Sequence, residues 1–197
     1  MAMVRQFDED ELINKVLEVF WQKGWQSTAM KDLSEAAQVQ RGSLYHAYGD
    51  KEQLFLLAFT RYSKQVLDEA IQVLENGNDV AQILMNFFDA AISNMLSDGK
   101  NLGCFTTQTM IETEYLSETV RSTVQDFMQA LEKTLEEALQ QEHLQAQLNL
   151  PVSEAVKLIM TFGRGIAVME RLYPDAEYLQ NLGQNFIKIL VQKNKNC

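Results

Sequence analysis

Proline, cysteine and histidine are scarce in this chain, with two of each among 197 residues. Pro151 and Pro174 are the only residues that must interrupt a helix, and no Gly/Ser-rich or repetitive linker stands in for them. That excludes two freely tumbling domains and predicts nearly continuous helix with short connections. Cys104 and Cys197 lie far apart and form no metal-ligand spacing with His46 or His143, so no metal site is expected. No apolar run approaches the roughly 20 residues that span a bilayer, and the N-terminus has no signal-like apolar core. A chain without membrane contact, in a reducing cytoplasm, is the expectation. Ser/His/Asp groupings and phosphate loops are missing too, and the pairs Glu112/Glu114 and Glu136/Glu137 look like solvated faces. No catalytic residue, cofactor or enzymatic activity is therefore expected.

A surplus of positive charge is also lacking: 17 Lys and Arg stand against 27 Asp and Glu, a net charge of −10. A nucleic-acid binder usually carries a basic patch. The stretch from Thr28 to Lys51 is neutral, with Lys31, Arg41 and Lys51 matched by Asp32, Glu35 and Asp50. Any affinity for DNA has to come from a few placed contacts, doubled by symmetry.

The chain holds apolar residues at helical spacing throughout, and no convincing strand pattern. Leu12, Ile13, Val16, Leu17, Phe20 and Trp21 share one face of a first helix that Gly24 should end. Thr28 is the expected N-cap of a short second helix with Met30, Leu33 and Ala37 inward, and Gln38-Val39 make a turn. A third helix from Gln40 to Tyr48 buries Leu44 and Tyr48 and turns Arg41, Gly42, Ser43, Tyr45 and His46 outward. Two short helices around a tight turn, with cationic, small and hydrogen-bonding groups near the start of the second, suit the major groove of DNA. Asp50 then caps a helix of about 25 residues, close to 37 Å long. Turns at Asn76-Gly77-Asn78 and Ser97–Asn101 separate further amphipathic helices from Asp79 and Ser117. The helix after Pro151 is apolar on nearly all sides, and with the one after Pro174 it carries more apolar surface than its own domain can cover, which predicts a homodimer through these two helices.

The run Leu33-Ser34-Glu35-Ala36-Ala37-Gln38-Val39-Gln40-Arg41-Gly42-Ser43-Leu44-Tyr45-His46-Ala47-Tyr48-Gly49-Asp50-Lys51, preceded by Gly24-Trp25 and Ser27-Thr28, resembles the N-terminal domain of the TetR/AcrR family of bacterial transcriptional regulators. The resemblance covers roughly residues 8–60. It implies an all-α fold with a three-helix helix-turn-helix domain at 1–50 and a larger helical ligand-binding and dimerisation domain at 51–197. It also implies phosphate contacts from Thr28, Lys31, Tyr45 and Lys51, and approach to bases or backbone by Arg41, Gly42 and Ser43. The family commonly has histidine two places after the tyrosine. Here that place holds Ala47, with His46 beside the tyrosine as a further candidate DNA contact.

Phe59, Tyr62, Phe88, Ile92, Met110, Phe127, Met128 and Phe162 are candidates for an apolar effector pocket, and ordinary core is the plain alternative for each. Arg164 stands in an apolar helix, where an ion pair with an acidic neighbour is the expected arrangement and an anionic ligand the alternative. Cys104 lies near an expected helix N-terminus, and its Gly-Cys pair resembles a subset of the same family that senses electrophiles. Packing as a small buried residue is the other reading. The sequence thus predicts a ligand-responsive repressor that binds palindromic double-stranded operator DNA as a homodimer and is released by an apolar or amphipathic small molecule. A thiol sensor acting through Cys104, or a helical adaptor without DNA binding, are the alternatives.

Overall fold

The structure, a computed structural model, describes residues 8–75, 77–97 and 102–192. Cys197, Asn76 and most of the expected loop from Ser97 to Asn101 lie outside the described residues. Among the described residues ten α-helices follow in order: α1 Glu9–Ser27, α2 Met30–Ala36, α3 Arg41–Tyr48, α4 Lys51–Leu74, α5 Val80–Leu96, α6 Phe105–Ile111, α7 Glu118–Leu139, α8 Glu142–Gln145, α9 Val152–Met169 and α10 Ala176–Leu190. A 3₁₀ turn, Thr113–Tyr115, lies between α6 and α7. Among the described residues there is no strand, only an isolated bridge between Leu148 and Val191.

The helix starts follow from side chains that satisfy otherwise unpaired N–H groups. Asp8 accepts from Asp10 and Glu11, Asp79 from Gln82, Ser117 from Val120 and Asp175 from Tyr178. Two expectations are corrected near α2. Gly24 does not end α1 but kinks it, at φ +80°, and three further residues follow. Thr28 does not cap α2, because its hydroxyl donates to the Gly24 carbonyl at 2.6 Å. Ala29 takes the N-cap position, and the Asp32 carboxylate accepts the Ala29 N–H at 2.8 Å.

The chain divides into two compact units. The first comprises Met1–Gln65 and Gln108–Gln125, so it takes in the end of α6 and the start of α7 as well as α1–α3. Its core is aromatic: the Phe55 ring stands edge-on to Phe20 and Trp25 at 5.1 and 5.2 Å and stacks on Phe59 at 5.8 Å. Trp25 is fixed at both ends of its peptide. Its N–H donates to the Glu112 carboxylate at 2.5 Å, and its carbonyl accepts from Lys51 Nζ at 2.9 Å. The indole N–H donates to the Tyr115 carbonyl at 3.1 Å, and Lys51 Nζ sits 4.3 Å from the ring centre. The kink at Gly24 is what brings the Trp25 N–H to Glu112.

The second unit comprises Val66–Thr107 and Asp126–Cys197. Its α5 packs along α10, with α9 against both. Phe162 and Phe186 stack at 4.2 Å and Phe88 stands edge-on to each of them. Leu158 and Val168 on α9, Leu172 and Tyr173 after it, and Tyr178 and Ile189 on α10 remain exposed.

A Cβ at position 24 would stand 2.6 Å from the Glu112 carboxylate. Gly24→Ala is therefore expected to lower stability by at least about 1–2 kcal/mol of left-handed backbone strain, and further by pushing Glu112 off the Trp25 N–H. Urea unfolding of Gly24→Ala, Glu112→Ala and the double variant checks this, and the double should lose less than the sum of the singles.

Candidate functional site

The exposed face of α3 is made by what the helix buries. Leu44 and Tyr48 point into the first unit's core, fully or nearly out of solvent. Their spacing rotates Arg41, Gly42, Ser43, Tyr45 and His46 into water, and all five are exposed. The turn before α3 is closed by Val39 N–H on the Ser34 carbonyl and Gln38 N–H on the Glu35 carbonyl, with Gln38 at φ +55°. Asp32 steadies the start of α2. Its bond with Lys23 at 2.6 Å, and then the Ala29 N–H, hold its carboxyl below the usual carboxylate range.

The α3 face has an internal order. The Arg41 guanidinium lies 5.5 Å from the Tyr45 ring centre and its Nη2 donates to the Tyr45 hydroxyl at 3.4 Å. One turn of helix thus pairs the cation with the ring. No acidic residue lies in α3. A Cβ at Gly42 would meet nothing within 4 Å, so a guest can approach the backbone closely there.

The other residues expected at DNA are placed differently from one another. Lys31 is exposed and pairs loosely with Glu35 at 3.7 Å. Thr28 is buried, 3% exposed, with its hydroxyl committed to Gly24. Lys51 leans back on Trp25, where burial lowers its ammonium below the ordinary value and the Glu112 carboxylate opposes that shift. Nothing near the α2–α3 sequence announces Glu112, which lies 87 residues from Trp25.

The eight residues expected around an effector pocket fall in both compact units. Phe59, Tyr62 and Met110 belong to the first unit, where Phe59 and Tyr62 are core and Met110 is 39% exposed. Phe88 and Ile92 line a small cavity of about 30 Å³ in the second unit, with Met95, Met160 and Arg164. Met128 meets that arginine, Phe162 stacks on Phe186, and Phe127 is buried. An open groove of about 440 Å³, lined by Met85, Ile187 and Val191 among others, was not foreseen.

Two ionisable groups in the second unit hold buried polar atoms with no hydrogen-bond partner among the described residues. The expected ion pair of Arg164 is not found among the described residues. Its Nη1 instead meets Cys104 Sγ at 3.7 Å and Met128 Sδ at 3.8 Å, and its Nε is buried with no partner. Cys104 is buried and precedes α6 directly. Glu170 is 0% exposed and neither carboxylate oxygen has a hydrogen-bond partner. Burial pushes its carboxyl above the ordinary value of 4.5, with Arg171 pulling the other way.

Comparison with known proteins places these features. The family described as "Bacterial regulatory proteins, tetR family" matches residues 12–58, and the "Tetracyclin repressor-like, C-terminal domain" matches residues 80–186. The HTH-type transcriptional repressor ComR of Escherichia coli K12 is 30% identical over 100 residues, 50% of this chain and 48% of ComR. The chain spans about half the length of the curated relatives it matches. Reduced NemR of E. coli superposes with a TM-score of 0.82 at 18% identity, covering 94% of this chain and 97% of NemR. A cysteine mutant of CifR solved with 26-bp double-strand operator DNA gives 0.80 at 21% identity, covering 94% and 98%. At these identities the two structures speak to the fold. No helix among the described residues is long and apolar enough to cross a membrane.

Glu170 yields a pH prediction. Its raised value means that the folded chain holds the proton more tightly than the unfolded one. Below 4.5 both states are protonated and nothing is lost; as pH rises from there, the folded state pays for the buried charge. Glu170→Gln is expected to raise Tm at pH 7 by about 2–4 °C for each kcal/mol relieved, with the gain fading towards pH 4 in calorimetric scans.

Proposed function

The chain belongs to the tetR family of bacterial regulatory proteins, and from that premise we propose that it is a ligand-responsive transcriptional repressor binding palindromic operator DNA as a homodimer. The observation that carries this reading is the solvent face of α3, where Arg41, Gly42, Ser43, Tyr45 and His46 stand together with no acid among them. Arg41 reads guanine edges, Gly42 and Ser43 let the backbone come close, and Tyr45 holds a phosphate. Lys31 adds a phosphate contact from α2. Lys51 joins only after leaving the Trp25 carbonyl, and Thr28 supports the end of α1 from within. Residues 1–50 form the reading part and 51–197 the sensing and dimerising part.

The exposed apolar residues of α9 and α10, Leu158, Val168, Tyr178 and Ile189, support pairing of these helices with those of a second copy. Two reading heads then meet two half-sites one helical turn or a multiple apart. Glu112 supports a route for the ligand response: it comes from the end of α6 and holds the Trp25 N–H, while Trp25 in turn holds Lys51. A ligand that favours one position of this segment changes the stance of the reading helix by its differential affinity for the two states.

A second reading rests on the 3.7 Å contact of the Arg164 guanidinium with Cys104 Sγ. A thiolate formed there faces a cation, which suits conjugate addition to an activated alkene: after the thiol proton leaves, the S–C bond forms as the C=C π bond breaks, and the neighbouring carbon takes up a proton.

Fluorescence anisotropy on DNA from the chain's own promoter region tests the principal reading. Arg41→Ala should weaken binding at least about tenfold, the worth of one bidentate base contact, and Tyr45→Phe should weaken it less. Unchanged affinity in both variants would sink it. For the second reading, an electrophile such as N-ethylmaleimide should release operator from wild type and not from Cys104→Ser; equal release removes the thiol from the mechanism.

A further inference from the structure

The geometry around Arg164 points to the chemical class of the effector. We propose that Arg164 is the anion-binding end of a site for a compact organic acid, whose apolar body lies among Phe88, Ile92, Met95 and Met160. This rests on the ligand-responsive reading above and gives it a substrate class.

A guanidinium carries five N–H donors in a planar fork and no acceptor. Arg164 directs one nitrogen at two sulfurs, at 3.7 and 3.8 Å, and buries Nε without a partner. Sulfur is a weak acceptor, and no carboxylate among the described residues pairs with this side chain. The side chain is part-buried, and a buried N–H without an acceptor costs free energy that an anion meeting the fork would remove. The group that fits the fork is a carboxylate, which takes two parallel N–H donors.

The second observation is the cavity that Arg164 helps to line, about 30 Å³ and otherwise apolar. It has room for a head group or for one water. A longer guest has to displace side chains, and Met95 and Met160 beside the cavity, with Met128 on the guanidinium, are those most able to move. One cation among apolar walls excludes polyphosphates and sugars, which need many polar partners, and favours a single carboxylate on a short hydrocarbon. The Cys104 sulfur is the competing partner. It leaves Nε unsatisfied, and it can be removed independently.

The test uses the full chain without DNA, so that failure of this site and failure of the operator reading are distinguishable. Thermal unfolding and calorimetry are followed with hexanoate and with hexanamide, its neutral counterpart, at constant ionic strength. Wild type should bind hexanoate at least tenfold more tightly than hexanamide. Arg164→Met should lose that preference, Arg164→Lys should keep part of it, and Cys104→Ser should keep all of it. Equal binding of the two probes by wild type, no binding of either, or loss of the preference in Cys104→Ser overturns the proposal. Should Arg164→Met fail to fold, the wild-type comparison and Cys104→Ser decide the matter alone. Hexanoate binding by a chain that recognises no operator sequence would keep this site and remove the DNA reading.

Discussion

Trp25 is the residue whose bonds the first unit depends on. Its N–H, carbonyl and indole N–H are all engaged, by Glu112, Lys51 and Tyr115 respectively. Its ring stacks on Phe20 and meets Phe55 edge-on. Helices of seven and eight residues are too short to persist by themselves. They hold their positions because the Trp25 ring and the Lys51 bond pin α1 to α4, and the bonds to Glu112 and Tyr115 tie it to the segment after α6. The exposed face of α3 is the outcome of that packing, since Leu44 and Tyr48 have only one core to enter. Glu112 joins the arrangement from the far side of the sequence, so a segment near the chain's middle helps fix the exposed α3 face near its start.

The second unit follows another logic. Its α5, α9 and α10 interlock through Phe88, Phe162 and Phe186, yet α9 and α10 still leave apolar residues exposed. A helix that is hydrophobic on more sides than its own unit can cover is incomplete until another surface meets it. Helix α9 also carries Arg164, whose Nε is buried with no partner, and ends at Glu170, whose two carboxylate oxygens are buried with no hydrogen-bond partner. Stability alone would not select either. Their presence where α9 is otherwise mostly apolar, from Leu158 to Met169, argues for work done there.

Local patterning made most of the fold legible. The helix starts at Asp79, Ser117 and Asp175, the buried pair Leu44 and Tyr48, and the long helix after Asp50 all follow from capping and periodicity within a few residues. The exposed α3 face was legible for the same reason. What escaped was set by distant neighbours. Thr28 has the chemistry of an N-cap, but Gly24, four residues earlier, offered a carbonyl in the interior and won the hydroxyl. The Glu112–Trp25 bond has no sequence signal at all. Side-chain type does not say which of two cores a Phe enters, and Phe59 lies in the first unit and Phe88 in the second. Arg164 was expected to find an acid, and the acid nearest along its helix end, Glu170, turns to Gly103 instead.

The charge neutrality of Thr28–Lys51, on a chain of net charge −10, bears on how an operator is found. Sliding along random DNA depends on phosphate attraction that takes no account of sequence, and a neutral head on an acidic body has little of it. On the proposed reading, such a protein searches by repeated collisions through solution rather than by long one-dimensional excursions. Few copies are lost to the rest of the chromosome, so the free concentration stays close to the total. A modest cellular number then suffices to occupy an operator of ordinary affinity, and a small rise in that number is felt at the promoter almost in proportion.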